Sequence, residues 1–149
     1  MPAASEGTLP SLPRTWRPFG VRLAVIGLGV MMAVVCAAAW FGFDQSVRDR
    51  FTLLQRGTLF VFAVGAVTCG WALCRARVTA EMESLVVVNG FRRRVFEWEE
   101  VLSVSLPPGA PWASLDLADG TTISAMAFQG SDGQRAQRDV RQLRALLNR

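Results

Sequence analysis

Two stretches of this chain carry no charged residue, residues 23–43 and 57–74, of 21 and 18 residues. A helix rises about 1.5 Å per residue, so about 20 apolar residues cross the hydrocarbon core of a bilayer. The first stretch therefore predicts a membrane-spanning helix, with Trp16 and Trp40 as interfacial aromatics. The second predicts another span, slightly short, which Leu53 and Leu54 can extend. A short polar turn over residues 44–56 joins them into a helical hairpin, which puts both ends on one side. Ala37, Ala38 and Ala39 resemble a signal-peptidase site, but the apolar run is longer than a usual leader core and a second run follows.

Arginine placement predicts which side. Arg14, Arg17 and Arg22 precede the first span, Arg75 and Arg77 follow the second, and Arg48, Arg50 and Arg56 lie in the turn. Two basic flanks against one basic loop favour cytoplasmic termini and a multi-pass protein of the cell membrane. Residues 1–20, rich in Pro, Ser, Thr and Gly, read as a disordered tail, so the domains are 1–20, the hairpin 21–74, and 75–149.

The missing residue types restrict the chemistry. The chain has no His, no Tyr and no Lys, so all 16 basic residues are Arg. That removes an imidazole base or ligand, a Schiff-base lysine and a P-loop lysine. Cys36, Cys69 and Cys74 lie in apolar surroundings, with no metal-site spacing and no disulfide framework; they read as small apolar side chains, with acylation at Cys74 as the alternative. A net charge of +4 is too small to indicate nucleic acid. No cofactor is expected.

Beyond residue 75 the pattern changes to period two. Val78, Ala80 and Met82 alternate with polar residues, 84–88 (SLVVV) predicts a second strand, and Asn89-Gly90 marks a tight hairpin. Further strands are predicted over 91–97, 101–106 (Leu102, Val104 and Leu106 on one face), 112–117 and 121–128. The period then becomes 3.6: Ser131 and Gln134 read as a capping box, and Ala136, Val140, Leu143 and Leu147 form one stripe of a terminal helix.

Two spans, about six strands and a C-terminal amphipathic helix are the order of a pleckstrin-homology arrangement. The segments RVTAEMESLVVVNGFRRRVFEWEEVLSV (77–104) and PWASLDLADGTTISAMAFQGSDG (111–133) resemble the sixth bacterial PH-domain family, that of the low molecular weight protein antigen 6 of actinobacteria. The resemblance rests on Asn89-Gly90, Arg92, Arg94, Trp98, Pro111-Trp112, 117–120 (LADG) and 129–133 (QGSDG), with Ser84 where the family has glycine. It covers about residues 75–147. It implies a membrane-anchored α+β domain, a small bent sheet or barrel of six or seven strands capped by one helix. It implies no established activity, so no functional residue carries over.

Arg92, Arg93 and Arg94 form the densest basic cluster and are the candidate contacts to lipid or a partner. The alternative is a solvated strand edge paired with Glu97, Glu99 and Glu100, and strand alternation sends Arg93 to the face opposite Arg92 and Arg94. Trp98 and Trp112 read as packing residues. Gly29, Ala33 and Ala37, like Ala66 and Gly70, are small residues four apart; they predict close helix packing, within the hairpin or between copies. No span contains an ionisable residue, which argues against an ion pathway. The expectation is a non-enzymatic binding or scaffold module, acting on a protein partner at the cytoplasmic face. A homo-oligomeric structural protein and an anionic-lipid sensor are the alternatives.

Overall fold

The structure, a computed structural model, describes residues 11–148. It divides into two compact units, residues 19–74 and a second made of the segment before Phe19 together with 75 onward.

In the first unit, α1 (Phe19–Gly42) and α3 (Leu53–Arg75) flank a single turn of helix, α2 (Gln45–Arg48). Both long helices are apolar on all sides and have no buried residue. A helix surface apolar all round is one that a bilayer or packed protein covers. Each is long and apolar enough to cross a membrane. Each starts four residues before the uncharged run inside it. For α3 the reason is a capping box: the Gln55 N–H donates to Thr52 Oγ1 at 3.3 Å, and the Thr52 N–H donates to Gln55 Oε1 at 3.0 Å. The Thr58 and Thr68 hydroxyls donate to the carbonyls of Leu54 and Val64, which satisfies them without water. Across the turn, Trp40 packs on Phe51 at 5.8 Å, and the Arg56 guanidinium lies 5.8 Å from the Trp40 ring and donates to the Arg48 carbonyl.

Among the described residues the second unit holds seven strands. β1 (Arg14–Trp16), β2 (Arg77–Ala80), β3 (Ser84–Asn89) and β4 (Arg92–Glu97) form one antiparallel sheet in that order. After a 3-10 turn at Trp98–Glu100, β5 (Val101–Ser105), β6 (Trp112–Leu117) and β7 (Thr122–Gln129) form the other. A second 3-10 turn leads into α4 (Gln134–Leu147). Leu85 and Val87 from the first sheet, Val104 and Leu115 from the second, Phe128, and Leu143 from α4 meet in one core. This is the expected PH-like architecture.

Several local expectations are corrected. The first is the tail over 1–20. Residues 1–10 lie outside the described residues, but Arg14–Trp16 is a strand, Trp16 facing Val78 across the ladder. Trp16 is 3% exposed, 5.7 Å from the Phe128 ring, and its indole N–H donates to Gln142 Oε1. It is a core residue and not a membrane-interface one. Leu102 is 64% exposed, because a bulge between Val101 and Ser103 turns both Val101 and Val104 inward. Met82 is exposed because β2 ends at Ala80.

The β3–β4 turn is Gly90-Phe91, with positive φ at Gly90 alone; Asn89 is the last residue of β3 and pairs with Arg92. That is the geometry of a turn with glycine at the first central position. The capping box at Ser131 and Gln134 does not form: Gly133, at φ 55, is the residue before α4. A capping box does form at the 3-10 turn, between Glu97 and Glu100. On α4 the fourth buried residue is Leu146, with Leu147 partly covered.

Candidate functional site

The edges of the two sheets differ in what they offer. The outer edge of β5 is closed by α4: Arg144 Nη2 donates to the Val104 carbonyl at 2.9 Å, and Gln137 Nε2 to the Leu106 carbonyl at 3.1 Å. β7 and the β3–β4 hairpin instead border a cleft of about 340 Å³. Arg92 and Arg94 enter it from β4, and Thr122, Ser124 and Met126 from β7. No carboxylate lines it, so its electrostatic character is that of two guanidiniums.

Strand alternation explains the selection. Arg92 and Arg94 share the face of β4 that meets Asn89 and Val87, whereas Arg93 projects to the opposite face and does not line the cleft. Of the three predicted contact residues, the fold thus brings two together. Two of the three glutamates considered as their partners have other hydrogen bonds: Glu97 and Glu100 cap the 3-10 turn, the Glu97 N–H donating to Glu100 Oε2 at 2.8 Å.

Asn89 ties the hairpin to β7. Its Nδ2 donates to the Ser124 carbonyl, and its Oδ1 accepts from the Met126 N–H at 3.1 Å. Bonding the carbonyl of one residue and the N–H of the second residue after it is the pattern of a neighbouring parallel strand. A side-chain amide here supplies one rung of a ladder that has no strand. The sequence pattern marks Asn89 as a turn residue, and a partner 35 residues away leaves no local signal.

The far wall is fixed by Asp116. Its carboxylate accepts from the Ser103 hydroxyl at 2.6 Å and from the Thr122 hydroxyl at 2.9 Å. Those two bonds, Ser103 first, hold its pKa below the ordinary carboxylate value. Asp119 is similarly lowered, by the Thr121 hydroxyl and N–H in the β6–β7 turn, and is a turn residue as expected.

Trp98 packs against the core and donates to the Met82 carbonyl at 3.2 Å. Trp112 is 37% exposed. Among the small residues of the long helices, Gly70 makes a close approach: a Cβ there would meet Val25 Cγ1 at 2.9 Å, whereas a Cβ at Gly29 would meet nothing. Among the described residues no group of three His, Cys, Asp or Glu side chains could hold a metal ion.

A family model for the bacterial PH domain matches residues 75–146. Uncharacterized proteins of Mycobacterium bovis and Mycobacterium tuberculosis are 39% identical to the chain over 132 residues, 88% of this chain and 79% of theirs. The chain belongs to the bacterial PH-domain family. An alignment of 132 residues cannot fit within 75–149, so the likeness to these relatives also takes in sequence before the matched domain. No solved structure matches the chain significantly. In this bacterial PH domain the first strand, β1, lies before the two apolar helices and outside the family match, so the sheet is built from two separated pieces of chain.

Proposed function

We propose that this bacterial PH domain is a membrane-anchored binding module, multi-pass, presented at the cytoplasmic face, that engages a protein partner through the cleft between β4 and β7. The observation that carries the reading is the cleft itself: two arginines without an acidic neighbour among its lining residues, beside a strand edge left open. The pairing of β1 with β2 supports a hairpin topology. The two strands are neighbours in one sheet but lie on either side of the apolar helices, which favours a chain that leaves the hairpin on the side where it entered. Cleavage within α1 would remove β1 and the core Trp16, which argues against a leader. The basic flanks favour the cytoplasm for that side. Catalysis is no part of this reading, since the chain has no His or Lys and the cleft has no acid–base pair.

A photo-crosslinking amino acid at position 124 of the full chain in its native membrane tests this. An adduct with a different protein, absent when the label is moved to position 93, is expected. No adduct at 124 defeats the reading. A second reading, self-association, has one specific support: a Cβ at Gly29 would meet nothing within 4 Å, so the small residue there is not required by packing within the hairpin. An adduct of twice the chain mass from a label at position 33 would favour it.

A further inference from the structure

Asn89 fills one rung beside β7, and the next rung is empty. In an antiparallel strand, the N–H and C=O of alternate residues point to the same edge. Since the Ser124 carbonyl and Met126 N–H point toward Asn89, the Thr122 carbonyl and Ser124 N–H point to that edge as well. Among the described residues no backbone group bonds either of them. Thr122 and Ser124 both line the cleft, where Arg92 and Arg94 face them.

An isolated anion fits this site poorly. It would satisfy the guanidiniums and the Ser124 N–H, but the Thr122 carbonyl would repel it. A peptide backbone offers a donor and an acceptor in the spacing that the edge requires, and an acidic side chain gives the arginines their counter-charge. We propose that the cleft binds an extended acidic segment of a partner protein, its main chain extending the Asn89 ladder at Thr122 and Ser124 and a carboxylate seated on Arg92 and Arg94. This rests on the partner-binding reading above and specifies its ligand.

The test uses the full chain in nanodiscs of zwitterionic phosphatidylcholine, titrated with a fluorescent heptapeptide of alternating threonine and glutamate. Binding is expected, and a threonine–lysine peptide should not bind. Arg92→Gln with Arg94→Gln should weaken binding about tenfold or more, the equivalent of one charge-assisted hydrogen bond. Arg93→Gln should leave it unchanged. N-methylation of alternate peptide amides should weaken it as much, with no change to the protein. Ser124→Pro should do the same, because proline at an outward-facing edge N–H costs no ladder bond. Equal binding of the N-methylated peptide overturns strand addition. Equal affinity of the double arginine variant overturns the carboxylate seat. Absence of peptide binding, with anionic phosphatidylserine vesicles captured through Arg92 and Arg94 instead, overturns the proposal in favour of a headgroup site. A cross-link at position 124 with no peptide binding overturns this ligand and spares the broader reading.

Discussion

At the residue scale, single positions decide how the two sheets meet. Asn89 joins them with two bonds to backbone groups of β7. Asn89→Ala would strand both groups beside the cleft, and an unmade hydrogen bond at a half-buried site costs about 1–3 kcal/mol. The expected outcome is a lower melting temperature of the detergent-solubilised protein, with faster hydrogen exchange at the Met126 amide, whose acceptor is lost. Trp16 is the larger loss. Truncating a buried tryptophan costs about 3–5 kcal/mol, so Trp16→Ala should destabilise the protein severely in a thermal melt, while Leu102→Ala on the exposed side of the bulge should change the melt by less than about 0.5 kcal/mol. The contrast separates the two readings of these residues: a pattern of alternate apolar positions puts Leu102 inside and leaves Trp16 in a tail. Alternation fails at Leu102 because one extra residue in β5 reverses the faces. It fails to reveal Trp16 because a three-residue strand between prolines is too short to show a period.

At the scale of elements, α4 and the loop before it are held by constraints of opposite kinds. Asp139 lies on α4 half-buried, and burial pushes its pKa up despite Arg135, Arg14 and Arg138 nearby. The folded protein thus prefers the protonated carboxyl. Its contribution to stability is complete below the unfolded value of 3.8 and is lost as pH rises through the higher folded value. Asp139→Asn should therefore gain stability relative to the parent between acid and neutral pH, read as a difference in melting temperature that grows over that interval. Asp116, lowered by its two hydroxyl partners, has the reverse sign: its contribution is present above 3.8 and fades toward acid. Gly130 is a steric constraint. A Cβ there would lie 2.1 Å from the Ala110 carbonyl oxygen, and its N–H donates to the Pro111 carbonyl. Gly130→Ala has to displace backbone and should cost about 1–3 kcal/mol or more. The regular elements were legible because hydropathy period is a local property: all six strands after residue 75 and the terminal helix stand within about two residues of their expected bounds. The cleft was legible only as its arginines, since its other wall arrives through sheet-to-sheet packing that no local pattern encodes.

At the scale of the whole molecule, the consequence that reaches furthest is that the PH-like sheet is completed by a strand from before the apolar helices. Family similarity alone marks 75–146 as the domain, yet residues 14–16 supply one of its seven strands and a core tryptophan. A piece containing only 75–149 leaves the β2 edge bare, opens a cavity beside Phe128, and removes the partner of Gln142. A domain of this size has little margin, because small chains bury a modest fraction of their surface. Residues 75–149 alone should therefore unfold at low denaturant with a broad transition and bind a hydrophobic dye. Joining residues 11–18 to Arg75 through a short glycine-serine loop, which replaces the helices by a simple β1–β2 connection, should restore a cooperative transition in urea. The same joined chain with Trp16→Ala should not. If 75–149 alone proves as stable as the joined chain, β1 contributes nothing and the domain is continuous after all. If the joined chain recovers, the two helices are an insertion between neighbouring strands of one sheet.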